Sequence, residues 1–361
     1  MADRSQSTRD DGTAEAGPAG PAKHEPLLRA EGLTRHFRVG GMFSKEVLHA
    51  VDDLELTINE REIVALVGES GSGKSTVARL LARIYTPTAG EIYYRGRPVR
   101  ELRSRRDVLW YRGEVAMVFQ DPFSAFNPVH RMSHGIIRNL ALHRRELGRE
   151  ERWREAERVC ESVGLSKRML TRYAHEMSGG ERQRIGFAQA LALQPKLILA
   201  DEPVSMLDVS IRAGILNLMV GLRDREDVSL LYITHDLASA RYVADRILVM
   251  YAGQIVEAGP TETVLSDPQH PYTRLLLSAV ADPRDADTDF SADTGEPPRV
   301  INPGEGCRFR WRCPYAIDTC ETVTPRLRPL GPVQVACHVA GHLGEEEIAA
   351  PAVTEIRSRG A

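Results

Sequence analysis

No uninterrupted apolar stretch in this chain approaches the roughly 20 residues needed to cross a bilayer. The longest candidate, Gly186 to Ala200, is too short and contains Pro195 and Lys196. Residues 2–26 contain no Val, Ile, Leu, Phe, Tyr or Trp, so the apolar centre of a secretory signal is missing. Their Ala, Gly, Pro, Ser and charged residues read as a disordered tail over 1–26. The expectation is a chain that stays in the cytoplasm. A large charge imbalance is also lacking. A net charge of −3 over 361 residues gives no reason to expect a polyanionic partner, and nucleic acid is disfavoured. Cysteine is scarce: of five, Cys307, Cys313, Cys320 and Cys337 gather in the last quarter. In a reducing compartment such a cluster reads as a metal site rather than a disulfide framework. No internal repeat is visible, and the length suits one and a half to two domains.

What is present is more specific. Residues 68–76 read GESGSGKST and fit G-x-x-x-x-G-K-[ST]. The apolar run IVALV precedes this loop and a helical pattern from Lys74 to about Tyr85 follows it, which is the strand–loop–helix setting the motif requires. Further short apolar runs occur at 115–119, 197–200, 230–234 and 246–250. With helical patterns between them, they predict an α/β fold with a largely parallel sheet. Residues 121–177 read as a helical insertion, in which Trp153, Ala156, Val159, Cys160 and Val163 share one helical face. Cys160 on that stripe is expected to be a core thiol, and the arginines around it a solvated face. After about residue 262 a turn-rich segment leads into a short helix over 266–280, an acidic loop over 281–300, the cysteine segment, and a polar tail from 343.

The loop residues Gly68, Glu69, Ser70, Gly71, Ser72, Gly73, Lys74, Ser75 and Thr76 are candidates to cradle phosphates. Glycine lets successive N–H groups point into one hollow, and the following helix adds the positive end of its dipole. Lys74 is placed to reach the β- and γ-phosphates, and the Ser75 hydroxyl to ligate Mg²⁺. The run LILADE (197–202) brings Asp201 to the metal from a buried strand, with Glu202 next to it to polarise a water.

In order along the chain, this loop, Gln120, SGGERQR (178–184), LILADEP (197–203), Asp208 and His235 resemble the motif set of ATP-binding-cassette (ABC) ATPases. The likeness runs from about Leu28 to Gly259. It implies a P-loop NTPase core with a mainly parallel sheet, an antiparallel β subdomain and a helical subdomain, within a nucleotide-binding domain over 27–262. By the same resemblance Phe37 stacks on adenine, Gln120 reaches Mg²⁺ and the attacking water, and Glu202 is the general base. His235 contacts the γ-phosphate. Ser178, Gly179, Gly180 and Glu181 bind ATP held by an opposite subunit, and Asp208 organises the seam. The chain departs from the common pattern at Arg61, Met177, Glu181 and Gln189, none of which removes a catalytic group.

QDPFSAFNP (120–128) and DPQHPYTRLLLSAV (267–280) resemble the oligopeptide/dipeptide/nickel importer ATPases, and GCRFRWRCP (306–314) with VACH (335–338) resembles their C-terminal extension, here 263–342. That implies a peripheral subunit on the cytoplasmic face of a membrane. Its partners would be a second ABC ATPase in a heterodimer, two permease subunits and an extracytoplasmic solute-binding protein, with peptides or related solutes as cargo. An accessory ATPase of a carbon–phosphorus-cleaving complex is the alternative. A soluble repair or translation ATPase fits less well, because neither a coiled-coil interruption nor a second cassette is present. The cysteine spacing, C-x₅-C-x₆-C-x₁₆-C, leaves Zn²⁺, a [4Fe–4S] cluster and free thiols open. The resemblance points to the iron–sulfur cluster, with His338 outside the ligand set.

Overall fold

The computed structural model describes residues 25–41, 45–120, 126–278 and 300–342. Most of the expected N-terminal tail, most of the acidic loop, the polar C-terminal tail and Asp121–Ala125 of the QDPFSAFNP run lie outside the described residues. Strands β1 (Leu28–Arg38), β2 (Val47–Ile58), β4 (Ala89–Tyr94) and β5 (Arg97–Pro98) form an antiparallel sheet in the order β2-β1-β4-β5. The second sheet has eight strands. Its centre is parallel and runs β9 (Arg246–Tyr251), β3 (Ile63–Val67), β8 (Ser229–Thr234), β7 (Leu197–Asp201), β6 (Val115–Val118). Beyond β9 come the antiparallel β10 (Gln254–Pro260), β12 (Val333–Val335) and β11 (Arg328–Leu330).

Strand β3 shows why the sheet lies where it does. All five of its residues are buried, as expected for a parallel strand covered on both faces. Its side chains alternate between two cores. Ile63, Ala65 and Val67 join the larger core that also holds the helical region. Val64 and Leu66 join the core under the antiparallel sheet. The period of two in side-chain direction is what lets five apolar residues tie two layers together.

Helix α1 (Lys74–Leu81) buries Val77, Ala78, Leu80 and Leu81, the i, i+3, i+4 stripe of an amphipathic helix. It ends four residues before Tyr85. Helices α2 (Arg105–Glu114), α3 (Ser133–His143) and α4 (Arg149–Ser162) follow. Helix α4 buries Ala156, Val159 and Cys160. Trp153, expected on that stripe, is 38% exposed: it lies in the first turns of the helix and its indole N–H donates to Glu157 Oε1 at 3.0 Å. Cys160 is fully buried, and burial pushes its thiol up to about 11. The remaining helices are α5 (Gly179–Leu191), α6 (Val209–Glu226), α7 (Leu237–Val243), α8 (Thr261–Ser266), α9 (Pro271–Ser278) and α10 (Thr319–Thr322). The C-terminal segment is not a loose appendage. Strand β12 pairs with β10, covering what would otherwise be an open sheet edge. Phe309 is 1% exposed and its ring meets those of Tyr251 and Tyr272.

Candidate functional site

Four neighbouring parallel strands deliver the site from their C-terminal ends. β3 leads to Gly68, β8 to His235, β7 to Glu202, and β6, after Phe119, to Gln120. In an open α/β sheet this is the end where ligands bind. A cavity of about 870 Å³ opens there, lined by every residue of the loop from Gly68 to Thr76 and by Gln120, Glu202 and His235. The loop needs its glycines at two points of close approach. Gly73 has φ +107° and a Cβ there would collide with the Ala50 carbonyl, while a Cβ on Gly68 would collide with that of Met250. Gly73 is also the residue before α1, so the free N–H groups of the first helical turn face the loop hollow.

Lys74 is folded back over the loop. Its Nζ donates to the carbonyls of Gly68 at 2.7 Å and Glu69 at 2.8 Å, and it is only 5% exposed. Burial holds its pKa below the usual lysine value, partly offset by Glu202, Asp201 and Glu69. The Ser75 hydroxyl donates to Asp201 Oδ1 at 2.8 Å. Asp201 is 2% exposed and burial raises its pKa, opposed by Ser75 and by nearby Arg79 and Lys74. A buried carboxylate balanced mainly by a hydroxyl is a site that gains from a bound cation. Ser75, Asp201 and Gln120 thus fit a hard, oxygen-ligated divalent ion.

Glu202 receives a hydrogen bond from Gln120 Nε2 at 2.9 Å on Oε2, and His235 Nδ1 lies 3.4 Å from Oε1. Its backbone has φ +45°, in the left-handed region that costs a side-chain-bearing residue about 1 kcal/mol or more. The turn is locked by its N–H, which donates to the Ile233 carbonyl at 3.0 Å. The strained geometry aims the carboxylate across the strand ends instead of along the strand.

Other expected residues are not brought to this cavity. Ser178 caps α5: its Oγ accepts from the Glu181 N–H at 3.3 Å, and its own N–H donates to Glu181 Oε2 at 2.8 Å. Glu181 thus completes a capping box. Ser178, Gly179, Gly180, Glu181 and Asp208 do not line the cavity, and neither does Phe37. Phe37 has the Arg35 guanidinium 4.5 Å from its ring centre and Tyr85 at its edge. The apolar end of the cavity is instead made by Val39, Leu48, Val300 and Ile301. Sequence reading missed the last two because they come from a segment more than 200 residues after the loop, held by the bridge Leu48↔Ile301 and by His49 N–H donating to Val300 O at 2.9 Å. It also missed Tyr272, whose hydroxyl accepts from the Glu69 N–H at 2.9 Å, and Arg312, which forks onto the Glu69 carboxylate at 2.8 and 2.9 Å. Both lie in runs that carry the family resemblance, Tyr272 in 267–280 and Arg312 in 306–314, but nothing in those runs points to a contact with the phosphate loop.

The clustered cysteines lie near enough for Cys320 and Cys337 to oppose ionisation of Cys307, and for Cys307, Cys320 and Cys337 to oppose that of Cys313. Burial pushes Cys307 up to about 11 and Cys313 up to about 12, and raises Cys337 as well. The Cys307 N–H donates to the Cys320 carbonyl at 2.8 Å. No three of these sulfurs lie within 4.8 Å of one another, whereas one tetrahedral ion with bonds of about 2.3 Å would draw them closer. His338 lies 2.9 Å from the Val323 carbonyl through Nε2.

Comparison with known proteins adds the following. Residues 51–205 match the family "ABC transporter", and residues 256–320 match "Oligopeptide/dipeptide transporter, C-terminal region". A Brucella ovis protein named "Putative peptide import ATP-binding protein" is 44% identical over 309 residues, covering 85% of this chain and 95% of that one. A Bacillus subtilis protein named "Putative oligopeptide transport ATP-binding protein" is 40% identical over 319 residues, covering 87% and 95%. Among solved structures, a dimeric post-hydrolysis ATP-binding cassette bound to ADP and Pi superimposes with a TM-score of 0.59 at 27% identity. It covers 65% of this chain and 99% of that one.

Proposed function

Because this chain belongs to the ATP-binding subunits of ABC transporters, in the group with the oligopeptide/dipeptide type of C-terminal region, we propose that it hydrolyses ATP to energise peptide import. The observation that carries this reading is the convergence of the phosphate loop, the Ser75–Asp201 pair and the Gln120–Glu202–His235 group at the ends of four adjacent strands. Residues 27–262 act as the nucleotide-binding unit and 263–342 as its extension.

The loop N–H groups and α1 hold the phosphate chain, and Lys74 turns from the loop carbonyls to the β- and γ-phosphates once they enter. Magnesium, held by Ser75, Gln120 and Asp201, would neutralise charge building up on the phosphates. Glu202, oriented by Gln120 and His235, takes the proton of the attacking water. Ser178 and Asp208 belong to the other half of the sandwich. Because they lie off this chain's own cavity, a second ATPase subunit must bring a matching signature run to close it. ATP then favours the closed pair, and hydrolysis releases it.

A groove of about 330 Å³ lined by Ile84, Met117, Phe119, Phe126 and Asn139 fits the permease contact. Ile84 and Phe119 are 49% and 46% exposed, and Phe119 precedes Gln120, so movement of a docked segment reaches the water-activating group directly. No helix among the described residues is long and apolar enough to span a membrane, which suits a peripheral subunit on the cytoplasmic face. Four clustered thiols suit a soft metal group, and we read them as the ligands of a [4Fe–4S] cluster. Such a cluster would staple the segment between α9 and β12.

Affinity capture of the tagged chain from native membranes tests this function. It is expected to recover two permease subunits and a second ATPase, and the reconstituted complex is expected to hydrolyse ATP faster when a peptide-loaded binding protein is added. Recovery of a soluble enzyme complex without permeases would contradict it.

A further inference from the structure

Glu69 presents a physical problem. It is the second residue of the phosphate loop and lines the cavity that must take a polyanion, and its charge also reaches Lys74. A bare carboxylate there opposes the incoming phosphates and competes with them for the lysine. The structure offers a solution from outside the nucleotide-binding unit. Arg312, its side chain 9% exposed against 23% for Glu69, forms a two-pronged pair with the carboxylate at 2.8 and 2.9 Å. This is the planar, charge-assisted geometry in which arginine binds carboxylates most firmly.

The arginine is itself well held. It directly precedes Cys313, and its segment packs through Phe309 against Tyr251 and Tyr272. At the other end of that segment Arg308 donates to the Ala252 carbonyl at 2.5 Å and pairs with Asp52. Tyr272 then takes the Glu69 N–H at 2.9 Å, so both the backbone and the side chain of Glu69 are anchored by residues C-terminal to β10.

We propose that Arg312 is a positioning residue for nucleotide: it neutralises and anchors Glu69 so that the phosphate loop accepts a polyanion and Lys74 is left for the phosphates. The proposal rests on the ATP-binding reading above. It makes the cysteine-bearing segment part of the ATP site through this chain's own side chains.

The test is a double-mutant cycle on the full chain, titrating the non-hydrolysable analogue AMP-PNP, with Mg²⁺, and ADP into wild type, Arg312→Ala, Glu69→Gln and the double variant by calorimetry. Arg312→Ala is expected to weaken AMP-PNP about tenfold, with a smaller loss for the less charged ADP. Whatever Glu69→Gln alone does to the loop, loss of Arg312 is expected to cost less than about twofold in the Glu69→Gln background, against the cost of about tenfold beside Glu69. A purely structural arginine would give no such rescue. Arg312→Ala binding like wild type, or costing as much in the Glu69→Gln background as beside Glu69, overturns the proposal. If Arg312→Ala does not fold, Arg312→Gln with and without Glu69→Gln gives the same comparison with a neutral hydrogen-bonding partner. Wild type that fails to bind AMP-PNP overturns the ATPase reading and this proposal together; wild type that binds beside an unimpaired Arg312→Ala overturns this proposal alone.

Discussion

Asp201 carries a conflict between stability and function. Burial raises its pKa above the usual 3.8, so the folded protein disfavours its charged form. For a group with a raised folded-state pKa, the stabilising contribution is full below the unfolded value and is lost as pH rises through the folded value. At neutral pH the nucleotide-free protein therefore bears a carboxylate whose burial is only partly offset by Ser75, Arg79 and Lys74. Asp201→Asn is expected to raise the melting temperature of the nucleotide-free protein at pH 7. The same change is expected to weaken Mg²⁺-dependent ATP binding about 10- to 100-fold, so that added MgATP no longer shifts the melt. A variant that melts lower without nucleotide, or that keeps the full MgATP shift, would contradict this account. Lys74, Ser75, Asp201, Glu202 and His235 were all legible as candidates because the loop and the two strand ends carry short, local patterns. Arg312 and Tyr272 were not, since each acts through a contact with Glu69 across more than 200 residues, and such pairing leaves no periodicity to read.

At the scale of elements, the strands were easier to read than the helices. Runs such as IVALV and LILA are buried on both faces, and continuous apolar character identifies them whatever surrounds them. Helix α4 is marginal in its apolar stripe, and Trp153 drops out of it because Glu157 offers a surface partner for the indole N–H. The β12 addition to the sheet edge was not legible: VQV is three residues long and becomes a strand only because β10 is beside it. Ser178→Ala removes the capping oxygen of α5 and is expected to lower stability by about 1 kcal/mol, measured by urea unfolding; an unchanged midpoint would show that Glu181 alone holds the helix start.

His270, at the start of α9, is 1% exposed, accepts the Tyr272 N–H on Nδ1 at 3.0 Å, and is driven by burial from 6.5 to about 3. With a depressed folded-state pKa, its stabilising contribution is present above the unfolded value and is lost as pH falls through that window, at about 1.4 kcal/mol per pH unit. The protein is therefore expected to lose stability from pH 6.5 to 5, and His270→Gln to flatten that slope. Equal slopes in both proteins would remove His270 from the explanation.

Across the whole molecule, the two sheets and the helical region do different work. The parallel sheet supplies the strand ends, the antiparallel sheet walls the cavity through Leu48 and His49, and the C-terminal segment adds Val300 and Ile301 to its lining and holds Glu69 through Arg312. The layer plan was visible in the order of the motifs. The contribution of the C-terminal segment to the cavity was not, because it depends on Val300 and Ile301 meeting His49 and Leu48 across about 250 residues of sequence. Ser178 and Asp208 stand apart from the cavity, a placement that the proposed composite site shared by two subunits would explain.

The central claim is that Glu202, held at a strained strand end by Gln120 and His235, activates water at this cavity. Pre-steady-state hydrolysis of radiolabelled MgATP by wild type and Glu202→Gln, with nucleotide binding measured alongside, tests it most directly. The account predicts hydrolysis about 10²- to 10⁴-fold slower in the variant, with ATP binding retained and ATP recovered intact from the bound state. Hydrolysis at the wild-type rate, or loss of ATP binding together with activity, would contradict it.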